Sequence, residues 1–267
     1  MQADLIELLA PLREAPERSA VLTDIDGTIA PIVERAADAA VPEPTRELLR
    51  ELAGRYALVG CLSGRRAMEA RRIVGVEELA YSGNHGIELL LPGDAEPRPD
   101  PSLDGHDKDA ARFVIAHDRA ELERAGIRVE DKGPIVALHW RGAANEGAAE
   151  SLAQELAAEA EWQGLVTHRG RKVLEIRPNV AINKGIAVAA LIPAAPVSRA
   201  LYAGDDRTDL DAFTALRTLR EDGELEAIAC LAIRSEEAPP EVADGADLSV
   251  AGLDGFAEVL RALAAPG

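Results

Sequence analysis

The sequence predicts an α/β protein: a Rossmann-like, parallel-sheet core into which a smaller α/β cap is inserted. Short apolar runs stop abruptly at polar or glycine-rich loops, segments of helical periodicity lie between them, and the middle of the chain abandons that alternation. Short runs that are apolar on both faces suit strands buried between two layers, as in a parallel sheet. Alternation of strand and helix then implies right-handed crossovers.

In chain order, the first run is Ala20-Val21-Leu22-Thr23, which ends at Asp24. Thr45 to Leu52 follows, with Leu48, Leu49 and Leu52 on one helical face. Ala57 to Leu62 ends at Ser63-Gly64-Arg65, and Leu79-Ala80-Tyr81 ends at Ser82-Gly83-Asn84-His85-Gly86. A Pro/Gly/Asp-rich stretch from Leu91 to Asp107 marks a boundary. Beyond it, a helical segment (Lys108 to Arg124) precedes two strand-like runs, Ile127 to Asp131 and Pro134 to Arg141, across Lys132-Gly133. A second helix (Glu146 to Glu161) precedes two more, Leu165 to His168 and Lys172 to Ile176. The order αββαββ predicts a small antiparallel sheet with two helices on one face. The core resumes with a helix from Lys184 to Leu191 behind Asn183, then Ala200-Leu201-Tyr202-Ala203 ending at Gly204-Asp205-Asp206. The expected segments are 1–104 (core), 105–176 (inserted cap) and 177–267 (core). Ligands of such sheets bind beyond the carboxyl ends of the strands, and the polar loops all fall at that edge.

Composition narrows the function. A length of 267 residues, at roughly 150 per domain, allows one large or two smaller domains. With 47% hydrophobic and 28% charged residues the chain is globular. Its net charge of −18 repels nucleic-acid backbones and anionic membranes. Three Phe, three Tyr and two Trp leave little surface for stacking on bases or sugars. Cys61 and Cys230 are too few for a disulfide framework or a cysteine-ligated zinc site. The first residues, MQADLIELLAPLRE, have no signal-peptide character, and no apolar window approaches the ~18 residues of a membrane span. The expectation is a cytoplasmic monomer whose partner is a small molecule, with neither nucleic acid nor membrane involved.

Asp24-Ile25-Asp26-Gly27-Thr28 is the strongest chemical signal. Two carboxylates one residue apart at a strand end can share a metal ion, or one can attack while the other moves a proton. Gly27 permits a sharp turn with backbone N–H groups facing an anion. The alternatives are a solvated acidic turn or a calcium loop; the latter needs a Glu at its twelfth position, where Arg35 stands. Ser63-Gly64-Arg65 offers a hydroxyl and a backbone N–H to an anion, although Ser-Gly also simply starts helices. Lys184 opens a helix, where a cation is unfavourable unless an anion or carboxylate holds it; a solvated surface lysine is the alternative. In Gly204-Asp205-Asp206-Arg207-Thr208-Asp209 three acids would repel one another unless a cation sits among them. Mg²⁺ suits this oxygen-only set better than zinc, and a solvated turn is again the alternative. Together the loops supply a carboxylate nucleophile, anion ligands and a metal site, the set that phosphoryl transfer needs.

These four motifs resemble those of the haloacid dehalogenase superfamily of phosphohydrolases, and the insertion is similar to that superfamily's α/β cap between its second and third motifs. More narrowly, Asp24 to Ile32, Gly83-Asn84-His85-Gly86, Glu130-Asp131-Lys132, Glu175-Ile176-Arg177-Pro178 and Gly204 to Asp209 resemble the trehalose-6-phosphate phosphatases, over residues 20 to 260 or so. The pattern departs at Leu210, where a Glu is common, and at Asn183, where an acid is usual. The resemblance implies a fold of the haloacid dehalogenase type and a Mg²⁺-dependent phosphatase with an aspartyl-phosphate intermediate. It makes Asp24 the nucleophile and Asp26 the acid and base. Ser63, Gly64, Arg65 and Lys184 would bind phosphate, and Asp24, Asp26, Asp205, Asp206 and Asp209 the metal. Glu130, Lys132, Glu175, Asn84, His85 and Arg141 would bind the sugar. A phosphohexomutase, another sugar-phosphate phosphatase such as one for sucrose phosphate, and a non-catalytic sugar-phosphate sensor are the alternatives.

Overall fold

The computed structural model describes residues 3–33, 35–100, 103, 105–180, 182–235 and 238–265. The chain divides into two compact units, Met1–Arg98 with Ile182–Gly267, and Pro99–Ala181; the insertion read from the sequence runs 105–176. In the first unit, α1 (Ala3–Glu14) leads to β1 (Ser19–Thr23), α2 (Glu43–Ala53), β2 (Leu58–Leu62), α3 (Ala67–Val74), β3 (Ala80–Gly83), β4 (Glu88–Leu90) and β5 (Arg98–Pro99). The second unit holds α4 (Asp109–Ile115), α5 (Arg119–Arg124), β6 (Arg128–Asp131), β7 (Val136–His139), α6 (Glu146–Trp162), β8 (Val166–Gly170) and β9 (Val173–Arg177). The first unit then resumes with α7 (Lys184–Leu191), β10 (Arg199–Gly204), α8 (Asp209–Glu221), β11 (Ala227–Arg234), α9 (Pro240–Gly245), β12 (Leu248–Ala251) and α10 (Gly252–Ala264). Among the described residues no helix is long and apolar enough to cross a membrane.

The large sheet has the order β12-β11-β10-β1-β2-β3-β4-β5. β1 pairs in parallel with both β10 and β2, and β3 pairs antiparallel with β4. From β1 the chain winds outward through β2 and β3 on one side, and from β10 through β11 and β12 on the other. The carboxyl ends of β1 and β10 therefore flank the crevice where strand order reverses. All five residues of β1 are buried because both faces are covered. Val21 packs on one side with Leu9, Leu49 and Phe256, and Leu22 on the other with Val188 and Phe213. Truncating such a leucine to alanine costs about 2–5 kcal/mol, which is what fixes the strand ends that carry the acids.

In the second unit the strand order is β6-β7-β9-β8, antiparallel throughout. The helical segment read as continuous from Lys108 to Arg124 breaks into α4 and α5, because the Asp118 side chain accepts from Ala120 N (2.9 Å) and starts a new helix. Alternation sorts the two faces of this sheet. Leu138, Leu174 and Ile176 pack with Phe113, Ala153 and Leu156. Glu130 and Glu175 lie either side of Ala137 in register, on the opposite face.

Candidate active site

β1 delivers Asp24 into the crevice, and the turn after it is closed by Gly27 at φ +85°. A Cβ on Gly27 would lie 2.1 Å from Asp205 Oδ2, so the two loops approach only because this residue is glycine. Thr28 Oγ1 donates to Asp205 Oδ1 (3.0 Å), tying the loop after β1 to the loop after β10. Asn183 caps α7 by accepting from Ile186 N (3.0 Å), which fixes where Lys184 begins. Lys184 Nζ lies 2.8 Å from Asp24 Oδ1 and 2.6 Å from Asp209 Oδ1.

Asp24, Asp205, Asp209 and Lys184 are all buried. Two of the three carboxylates, Asp24 and Asp209, thus share one ammonium, and Asp205 stands beside them. Burial disfavours the charge on Lys184, but Asp209 and Asp24 outweigh it and hold the ammonium well above the usual lysine range. Burial pushes the Asp24 carboxyl well up against the pull of Lys184, with Asp209 and Asp205 adding to the rise. Burial and then Asp209 push Asp205 up to about 6. The cluster is short of positive charge.

Carboxylate oxygens of Asp24, Asp205 and Asp209 lie within 4.8 Å of one another, an all-oxygen set that can hold a hard metal ion. Asp209 differs from the other two. Its Oδ1 accepts from Lys184 Nζ and Tyr202 Oη (2.6 Å), and its Oδ2 from the backbone N–H of Asp205 (2.9 Å) and Asp206 (2.8 Å). All its acceptor positions are occupied. Among the described residues, no protein hydrogen bond falls on Oδ2 of Asp24 or Asp205. Asp206 is exposed and accepts from Arg207 N in its own loop, outside the cluster.

β2, the neighbour of β1, delivers Ser63, whose Oγ accepts from Arg65 N (3.1 Å). Asn84 and His85 follow β3 in left-handed backbone, φ 50° and 59°. Their N–H groups donate to the carbonyls of Arg65 (2.8 Å) and Ser63 (3.0 Å), clamping this turn onto the Ser63–Arg65 loop. The His85 ring lies against Gly64, where a Cβ would come within 2.6 Å of Nε2. The Arg65 guanidinium, read from the sequence as a phosphate ligand, engages the Asp26 carboxylate: Nε to Oδ2 at 2.7 Å and Nη2 to Oδ1 at 2.9 Å.

In the second unit, Lys132 Nζ lies 3.0 Å from Glu175 Oε1, and Arg177 donates to Glu175 Oε2. Burial opposes ionisation of Glu175, but Arg177 and Lys132 hold its carboxyl down at about 2. Glu130 Oε2 pairs with His139 Nε2 at 2.7 Å. Arg141 is exposed beyond β7, where its charge acts on Glu146. Four partners were not singled out in the sequence: Thr28, Tyr202, His139 and Arg177. Thr28 and Arg177 lie inside motifs already noted; Tyr202 and His139 look like ordinary strand residues until the register is known.

A core sheet with acids at its switch point and an inserted antiparallel unit is a fold this protein shares with a solved haloacid dehalogenase-like hydrolase. A solved structure of that description from Bacteroides thetaiotaomicron superposes with TM-score 0.61 at 17% identity, over 92% of this chain and 99% of that one. The Candida albicans trehalose-6-phosphate phosphatase C-terminal domain gives 0.67 at 21% identity, over 97% and 96%. The chain belongs to the trehalose-phosphatase family, whose model matches residues 22–238. The trehalose-phosphate phosphatase of Mycobacterium marinum is 32% identical over 245 residues, 85% of this chain and 60% of that protein. An uncharacterized glycosyl hydrolase of Mycobacterium tuberculosis is 37% identical over 210 residues, 75% of this chain but 15% of its own length. The chain therefore spans less than two thirds of these relatives.

Proposed function

We propose that the protein hydrolyses trehalose 6-phosphate to trehalose and inorganic phosphate, with Mg²⁺ as its metal. The observation that carries this is the buried, cation-deficient cluster of Asp24, Asp205 and Lys184 at the switch point, in a chain of the trehalose-phosphatase family. Asp24 attacks phosphorus and the bond from phosphorus to the sugar oxygen breaks, while Asp26 gives that oxygen its proton. Water then attacks the aspartyl phosphate, its proton passes to Asp26, and phosphate leaves Asp24. Asp24 and Asp205 would hold Mg²⁺, which would supply the positive charge that lets a carboxylate meet a phosphate dianion. Ser63 and the third Lys184 proton hold phosphoryl oxygens, and Asp209 orients Lys184.

Glu130, Lys132 and Glu175 are assigned to the sugar, a reading supported by the register that puts both acids on one face of the cap sheet. Carboxylates and ammonium groups suit hydroxyls, which donate and accept. Asn84, His85 and Arg141 are further candidates. The setting proposed is the cytoplasm, with a monomer acting on a small sugar phosphate.

A phosphate-release panel with Mg²⁺ tests this, using trehalose 6-phosphate, sucrose 6-phosphate, glucose 6-phosphate and mannose 6-phosphate. The disaccharide is expected to lead by at least about tenfold, as hydrogen-bonding sites discriminate. Equal rates across the panel would defeat the substrate assignment.

A further inference from the structure

Both oxygens of Asp26 are gripped by one guanidinium. Arg65 is itself anchored from behind: its Nη1 donates to Glu69 Oε1 (2.6 Å), in the first turn of α3, and to the Ala36 carbonyl (3.1 Å). Its backbone is pinned as well, N to Ser63 Oγ and carbonyl to Asn84 N. The Arg65 side chain is only 15% exposed, whereas that of Asp26 is 33% exposed. A bidentate fork fixes the plane and direction of a carboxylate in a way a point charge does not. No other hydrogen bond to the Asp26 carboxylate exists among the described residues, so without the fork its rotamer is set by nothing nearby.

We propose that Arg65 is a positioning residue for Asp26, with Glu69 as its anchor, and not a ligand of the phosphate. The inference rests on the proposed acid–base role of Asp26 and deepens it. The three nitrogens of Arg65 are directed at Asp26, Glu69 and Ala36, while Lys184 and Ser63 stand at the ends of the elements that converge on Asp24.

The leaving group separates the two roles. A sugar alkoxide needs a proton as the bond from phosphorus breaks, whereas p-nitrophenolate leaves without one. The quantity kcat/KM covers only the steps through departure of the leaving group, so it excludes the later attack of water. General acid catalysis contributes about 10²–10⁴-fold where it is needed. For Arg65→Ala, kcat/KM is expected to fall about 30-fold on trehalose 6-phosphate and about threefold on p-nitrophenyl phosphate, the sense of the larger asymmetry in Asp26→Asn. Glu69→Gln, which leaves the fork in place but loosens its anchor, should move the ratio the same way by about threefold. It keeps the test open if Arg65→Ala disturbs the loop, as thermal melting would show. Arg65→Lys keeps the charge without the fork and should leave the ratio shifted. Inhibition by inorganic phosphate should stay within about twofold of the parent in all three, since no phosphate contact is lost.

Equal losses on both substrates, weakened inhibition by phosphate, or full restoration by lysine would each overturn the positioning role. An unmoved ratio in the Arg65 and Glu69 variants, against a shifted one in Asp26→Asn, overturns the inference alone. Equal losses in Asp26→Asn overturn the acid–base reading and the inference with it.

Discussion

The core and the cap each bury a carboxylate among charged neighbours, and the two carboxylates shift in opposite directions. Asp24 and Asp205 are pushed up; Glu175 is held down at about 2. Burial opposes ionisation in both places, so burial does not decide the outcome. The number of partners does. Lys184 alone pairs with both Asp24 and Asp209, with Asp205 close by, whereas Glu175 lies between Lys132 and Arg177. Acids in excess over their cation favour a further cation among them, whereas a carboxylate with two cations of its own has its charge fully offset.

The largest expected effect breaks the core side of this contrast. Asp24→Asn removes the proposed nucleophile and should lower phosphate release by at least about 10⁴-fold. It also relieves a cluster short of positive charge, so its thermal midpoint should equal or exceed that of the metal-free parent. Residual release near the parental rate would remove Asp24 from the chemistry.

Asp209→Asn comes next and separates two acids that geometry groups together. An amide cannot accept at all the positions where Asp209 accepts, so donors from Lys184, Tyr202 and two backbone N–H groups lose partners in a dry site. Breaking such a buried network costs about 3–5 kcal/mol. Asp205→Asn should cost less than about 1 kcal/mol, because it removes repulsion while leaving Thr28 an acceptor. Urea midpoints compare the two directly; equal losses would mean that Asp209 is no more structural than Asp205.

Adding Mg²⁺ after chelation sharpens the same contrast. At about 100 times its dissociation constant a ligand of the folded state adds about 2.7 kcal/mol. That increment should appear in the parent and in Glu175→Gln, and shrink in Asp205→Asn. Differential scanning calorimetry with and without chelator reads it, and an undiminished increment in Asp205→Asn would move the metal elsewhere.

The core was legible because each strand end announces itself: an apolar run cut off by Asp24, Ser63, Asn84 or Asp205 needs no tertiary knowledge. The outer strands β11 and β12, of which β12 is the sheet edge, lack such an ending and were not singled out. Legibility fails where identity alone does not tell partners apart. Arg65 next to a Ser-Gly pair looks like an anion ligand, and only the loop after β1 coming within reach turns it toward Asp26. Asp209 reads from the sequence only as a third acid of that loop; the hydrogen bond it accepts from Tyr202, a buried strand residue, needs the strand register to be seen. The break at Asp118 escaped because a helix-capping aspartate and a surface aspartate read alike.

The smallest effect tests the cap side of the contrast by pH. The carboxyl of Glu175 ordinarily titrates at 4.5 and is held at about 2 in the folded protein. Between those values the unfolded chain binds the proton that the folded chain refuses, so stability rises with pH across that window. The contribution is complete above about 4.5 and is lost as pH falls through about 2, on the order of 2 kcal/mol after allowing for relaxation of the pair. Glu175→Gln should therefore flatten the acid limb of cap unfolding, followed by the fluorescence of Trp140, while leaving the pH dependence of the core unmoved. The variant also leaves Lys132 and Arg177 facing each other without the acid between them, so it should be less stable than the parent at pH 7 yet converge with it near pH 2. Parallel curves over the whole range would mean that Glu175 is not held by its two cations, and the opposition between the clusters would fall with it.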